Sequence, residues 1–160
     1  MALHNSIGGQ NIIYKIIEKL VDMVLLMFDN IDDENSNLHI IFEIDQSVNK
    51  LQYLGFKAIN YSIDNKIEKN IKNLLEYKKI IVSLEAIGDI IKRISRVLMR
   101  MEKEDYIRLK SIITDTKEYF IFITKILERN INYDNNLNLY LDKKNSILKS
   151  IEVKRDKIKY

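Results

Sequence analysis

At 160 residues and 46% hydrophobic content, the chain is the size of one domain or two small ones, with enough apolar residues for a real core. With no Pro, four Gly and no Trp it is poor in tight-turn residues, which argues against an all-β sandwich or barrel and leaves helices. The absence of Cys excludes disulfides, thiolate zinc sites and thiol nucleophiles, and a net charge of +3 is too small to suggest nucleic-acid binding.

The first periodic segment follows Gly8-Gly9, with Ile13, Ile16, Ile17, Leu20, Met23, Val24, Met27 and Phe28 spaced by three and four, as in an amphipathic helix. The stretch from Asp29 to Asn37 breaks the period, and Asp33, Asn35 or Ser36 would cap the next helix. That second helix is expected from about Leu38 to Ile63, with Ile41, Ile44, Val48, Leu51, Leu54 or Gly55, Ala58 and Ile59 on its apolar stripe. Asp64-Asn65 makes the next break. The third stripe is the longest, from Ile67 through Ile71, Leu74, Ile81, Leu84, Ile87, Ile91, Ile94 and Leu98 to Met101, interrupted by Lys78. A fourth helix after Glu102 carries Ile107, Ile112, Ile113, Phe120, Ile123 and Leu127, and a fifth is expected from about Leu137 to Ile158.

The pattern therefore predicts an all-α, antiparallel helical bundle: a junction or tail over 1–9, a three-helix unit over 10–102, and two further helices over 103–160 packed on it. An offset of 99 residues places Phe28 on Leu127, Leu38 on Leu137, Ile40 on Leu139 and Ser47 on Ser146, which suggests a second, two-thirds repeat. Apolar surface on the last two helices would be covered by folding back on the first three or by a second copy in a homo-oligomer.

No apolar run approaches the ~20 residues needed to cross a bilayer, and Met1 to Gln10 lacks the basic start and apolar core of a secretory signal. A cytoplasmic protein is expected. Between Lys143 and Tyr160, seven Lys or Arg stand against Glu152 and Asp156, which suits either a solvated helix end or contact with anionic lipid or an acidic partner. His39 has no Cys, triad or nearby His to give it a catalytic role, and the scattered Tyr residues read as packing, not as a platform for bases. No P-loop pattern and no nucleophile with a nearby base is found, so the chain reads as a binding protein without enzymatic activity.

The segment Leu84-Glu85-Ala86-Ile87-Gly88-Asp89-Ile90-Ile91-Lys92-Arg93-Ile94 carries the chemical information. A Gly inside a long helix costs roughly 1 kcal/mol against Ala, and Glu85 and Asp89, four apart, place two carboxylates on one helix face. Any metal must sit on such oxygen ligands, since His4 and His39 cannot build a histidine-rich site.

The segment resembles the Leu-Glu-Arg-Ile-Gly-Asp-like signature on the third helix of PhoU-type domains, with Leu84, Glu85, Ile87, Gly88, Asp89 and Ile94 matching. Ala86 stands where the family usually has Arg, and Arg93 where it usually has Asn. The resemblance implies metal ligation by Glu85 and Asp89, with Glu43, in the acidic start of the second helix, approaching the same face; iron, zinc, manganese or magnesium would be the metal. The bare residues leave a second reading open, in which Arg93, at i+4 from Asp89, neutralises the carboxylate without metal. Ala2-Leu3-His4-Asn5-Ser6 looks like the junction after the membrane segments of sodium/phosphate cotransporter-related proteins, which carry a PhoU-like domain at the inner face of the membrane. The implied partners are a phosphate transporter or its membrane segments, or, for a free-standing PhoU-type regulator, a transporter or sensor kinase. The third alternative is a structural helical-bundle adaptor with no metal or phosphate role.

Overall fold

The computed structural model describes residues 3–32, 38–68, 70–128, 142, 144–146, 148–150 and 152–153. The chain is all-α: α1 (Leu3–Asp32), α2 (Ile40–Asp64), α3 (Ile71–Leu98) and α4 (Lys103–Glu128). Most of the expected fifth helix, and the repeat matches at Leu137 and Leu139, lie outside the described residues; those of 142–153 that are described are helical.

α1 starts at Leu3 and runs through Gly8 and Gly9, earlier than the apolar period suggested. A Gly weakens a helix by about 1 kcal/mol but does not bar it. α2 begins behind His39, which makes no side-chain capping bond, and the expected caps Asp33, Asn35 and Ser36 lie outside the described residues. Its other end closes with the Ile67 amide donating to the Ser62 carbonyl at 3.0 Å, and Lys66 takes up the left-handed conformation (φ 51°) that this type of helix end requires. The turn delays α3 to Ile71, four residues later than the apolar stripe alone indicated. There the Asn70 side chain accepts from the Lys72 amide at 3.1 Å and caps the helix.

The first three helices pack on one another in an up-down-up arrangement, and α4 returns along α1. Gly55 on α2 sits beside Ile16 on α1 and Ile81 on α3, while Gly88 on α3 sits beside Met27 and Val48. These neighbours fix α2 as antiparallel to the other two. The core stripe is the expected one in the main: Ile13, Leu20, Val24 and Met27 from α1, Ile41 and Val48 from α2, and Leu74, Ile81 and Ile91 from α3 are essentially without solvent contact. On α2 the stripe passes through Gly55, and Leu54 faces outward. Ile71 is likewise exposed, since it stands in the first turn of α3.

α4 is held on α1 by three kinds of contact. Phe120 stacks obliquely on Phe28 with ring centres 5.7 Å apart, the Tyr106 hydroxyl donates to the Ile31 carbonyl at 2.7 Å, and Lys117 pairs with Asp29 at 2.7 Å. Ser150 donates to the Asp115 carboxylate at 2.7 Å, so the last described segment lies against α4.

The two buried glycines differ in what they require. A Cβ on Gly55 would come within 2.6 Å of Ile81 Cδ1, whereas one on Gly88 would meet Met27 Sδ at 3.5 Å and Val48 at 3.6 Å, ordinary contact distances. Gly88→Ala is therefore expected to raise the unfolding free energy by about 0.5–1 kcal/mol through helix propensity. Gly55→Ala is expected to gain less than Gly88→Ala, because the end of the Ile81 side chain must turn aside from the new methyl group and offsets part of the same propensity gain. Urea denaturation of the two variants beside the parent protein measures both, and equal shifts would refute the distinction.

Candidate carboxylate site between the second and third helices

The glycine of the Leu84–Ile94 segment lies where α3 meets α1 and α2, and the polar residues that follow it meet α2. Asp89 is half-buried at that boundary, and Glu85 lies one turn earlier on α3. Lys92 Nζ donates to Asp89 Oδ1 at 2.6 Å and to Asp45 Oδ2 of α2 at 2.8 Å. The Asn49 amide approaches the same Asp45 oxygen at 3.4 Å. One ammonium thus ties together two acids from neighbouring helices.

The cluster is partly buried: the side chains of Lys92, Asp45 and Asp89 are 16%, 10% and 32% exposed. The hydrogen bond from Lys92 lowers the Asp89 pKa below its ordinary value; burial opposes this, and the charges of Lys92, Arg93 and Arg96 add to the lowering. Burial alone would depress the Lys92 pKa, but its hydrogen bonds to Asp45 and Asp89 outweigh that and raise it. Arg96 lies over the Phe42 ring, 5.3 Å from its centre, which holds a further cation beside the cluster.

The ion pair of Asp89 is made by Lys92 at i+3, not by Arg93 at i+4. Lys92 is turned toward α2, where Asp45 draws it inward, while Arg93 remains exposed and acts on Asp89 through its charge. Glu43 is also exposed. Two residues correspond to about 200° of helix rotation, so Glu43 and Asp45 project from nearly opposite sides of α2. The structure therefore brings together Asp45, Asp89 and Lys92, with Glu85 one turn away and Glu43 apart.

Asp45 and Lys92 were legible as anomalies of pattern. Asp45 lies in register with Ile41 and Val48, and Lys92 follows Gly88 by one turn, so each is a charge on the rim of an apolar stripe. Two opposite charges so placed on neighbouring helices are a signal for a buried ion pair.

Among the described residues, no group of three or more His, Asp or Glu side chains converges to hold a metal ion. A cation on Glu85 and Asp89 would share Asp89 with the Lys92 ammonium and would need further ligands or water. No protein-family model, curated protein or solved structure matches the chain.

Removing the cation while leaving both acids should be costly. Lys92→Met is expected to destabilise the protein by about 1–2 kcal/mol near neutral pH, between the cost for an exposed and for a buried pair, and Asp45→Asn added to Lys92→Met should restore part of the loss. The Asp89 contribution has a defined pH sense. Its folded-state pKa lies below the ordinary 3.8, so the stability it supplies is present above that value and is lost as pH falls through the lower folded value. Lys92→Met should flatten this acid-side loss. Denaturation curves across the acid range test both, and an unchanged acid limb in the variant would remove the pair from the account.

Proposed function

We propose that this chain is a non-catalytic regulatory and interaction domain of the PhoU-like kind, acting in phosphate transport or phosphate signalling as the cytoplasmic part of a sodium/phosphate cotransporter-related protein. The observation that carries the reading is the string Leu84-Glu85-Ala86-Ile87-Gly88-Asp89 on the third of three mutually packed helices. Its support is likeness of motif and the place of that motif on the third helix. Such a domain works by changing its contacts with a transporter, its membrane segments or a sensor kinase, and the exposed charged side chains around Asp89 give it the means to be read by a partner.

A specific observation favours a second reading, a helical adaptor with no metal role. Lys92 already bridges Asp45 and Asp89, and the charges of Arg93 and Arg96 act on Asp89 as well, so the acids have positive partners without a metal. In the PhoU-like reading a metal would instead be recruited at Glu85 and Asp89, with Glu43 drawn in by rearrangement.

The two readings differ in measurable ways. In cells lacking the chain, phosphate uptake is expected to stop responding to external phosphate, and the parent gene but not one encoding Glu85→Ala/Asp89→Ala should restore the response. Unaltered uptake in the deletion strain would sink the phosphate reading. Elemental mass spectrometry of the untagged protein tests the metal separately: iron, zinc or manganese lost in the double variant supports the site. Metal-free protein with unchanged helicity in both supports the adaptor.

A further inference from the structure

α3 carries a second apolar face that the other described helices do not cover. Ile71, Leu75, Val82, Ile90 and Val97 are each between 42% and 58% exposed. At about 100° per residue they fall within roughly 100° of arc, on the side of the helix opposite Leu74, Ile81 and Ile91. The face runs the full 28 residues of α3, about 42 Å.

Cations lie along this same face. Lys72, Lys79 and Arg93 are exposed on it, and Arg100 is exposed in the turn that follows the helix, so that two arginines stand near Ile90 and Val97, while Arg96 lies at the edge over Phe42. Its acids are largely spent: Glu76 pairs with Lys79 at 2.9 Å, and Asp89 pairs with Lys92. The excess charge of the face is therefore positive. Lys and Arg stems lie flat on apolar surface while their heads reach several ångströms outward, so an apolar strip studded with cations suits a boundary between hydrocarbon and anionic groups.

We infer that the outer face of α3 docks on the surface of an anionic lipid bilayer, with its aliphatic side chains at the level of the acyl boundary and Arg93, with Arg100 just beyond the helix end, on lipid phosphates. This does not depend on the phosphate-transport reading. Guanidinium groups bind phosphate oxygens in pairs, which matches the Arg-rich end of the strip. A second copy is the poorer occupant, since two such faces in contact would set Arg93 and Arg100 among like charges. The face is also a convex helix surface without a groove partner among the described elements, which suits a broad surface better than an inserted segment. No helix among the described residues is long and apolar enough to cross a membrane, so the contact is interfacial.

The test is co-sedimentation of the full chain with vesicles of phosphatidylcholine containing phosphatidylglycerol, against pure phosphatidylcholine, with circular dichroism as the check of folding. Binding is expected on the anionic vesicles and to weaken at least about tenfold in Arg93→Glu/Arg100→Glu. Val82→Gln/Ile90→Gln, which changes exposed positions only, should weaken it without altering the charge. Three results would each overturn the inference: no binding of the folded protein to anionic vesicles, equal binding to neutral ones, or binding undiminished in both variants, which would assign it to another basic segment such as 143–160. A dimer in sedimentation velocity that both variants abolish, without vesicle binding, would give the face to a second copy instead.

Discussion

Burial of α1 is the constraint on which the other helices depend. α2 and α3 pack on it as well as on each other, and α4 packs on it in turn. Leu20, Val24 and Met27 are without solvent contact, and each such side chain contributes on the order of 1.5–3 kcal/mol when withdrawn from water. An amphipathic helix with apolar residues on one narrow stripe could serve only one neighbour. α1 serves three because Val21 and Phe28 widen the stripe and Ile31 extends it, giving α4 a surface beside the one that α2 and α3 occupy.

Apolar burial is nondirectional, and it leaves the sliding of α3 along α2 weakly specified. The polar cluster supplies direction. Lys92 can reach Asp45 and Asp89 together at one relative setting of the two helices, and the Ile81 side chain against Gly55 fixes the spacing elsewhere along the same pair. Replacing such a cluster by hydrophobic residues is often neutral for stability. Its value here lies in penalising wrong registers, in which a carboxylate or the ammonium would be buried alone.

The bundle and its helix order were legible because periodicity over 25 to 30 residues is a strong signal, and both the α2 stop at Asp64-Asn65 and the α3 stripe from Leu74 to Leu98 lie where the pattern set them. Ends were less so. Lys66 in a left-handed conformation does the work usually given to Gly, and no composition rule would have singled it out. At the site, the motif drew attention to Glu85 and Asp89, the two acids visible within one helix. Their environment depends on Asp45, 44 residues earlier than Asp89, and on the direction in which Lys92 is pulled, which a single helix does not encode. A contact between helices becomes readable only when both stripes are known and their charges are paired across them.

The same geometry constrains what the segment can do. Gly88 is buried, yet the space around it would accept a methyl group, so close packing in this arrangement does not demand a glycine. Asp89 one residue later has its charge balanced by Lys92, and Arg93 and Arg96 add positive potential around it. A divalent cation entering here would share Asp89 with the Lys92 ammonium and would do so against that potential. Affinity for metal is therefore reduced by the positive charge around Asp89, and a cation that drew Asp89 away from Lys92 would act on the link between α2 and α3 that the cluster maintains. Ligand binding and helix register are coupled through one side chain, so whatever occupies the carboxylates also acts on the packing of the helix that presents them.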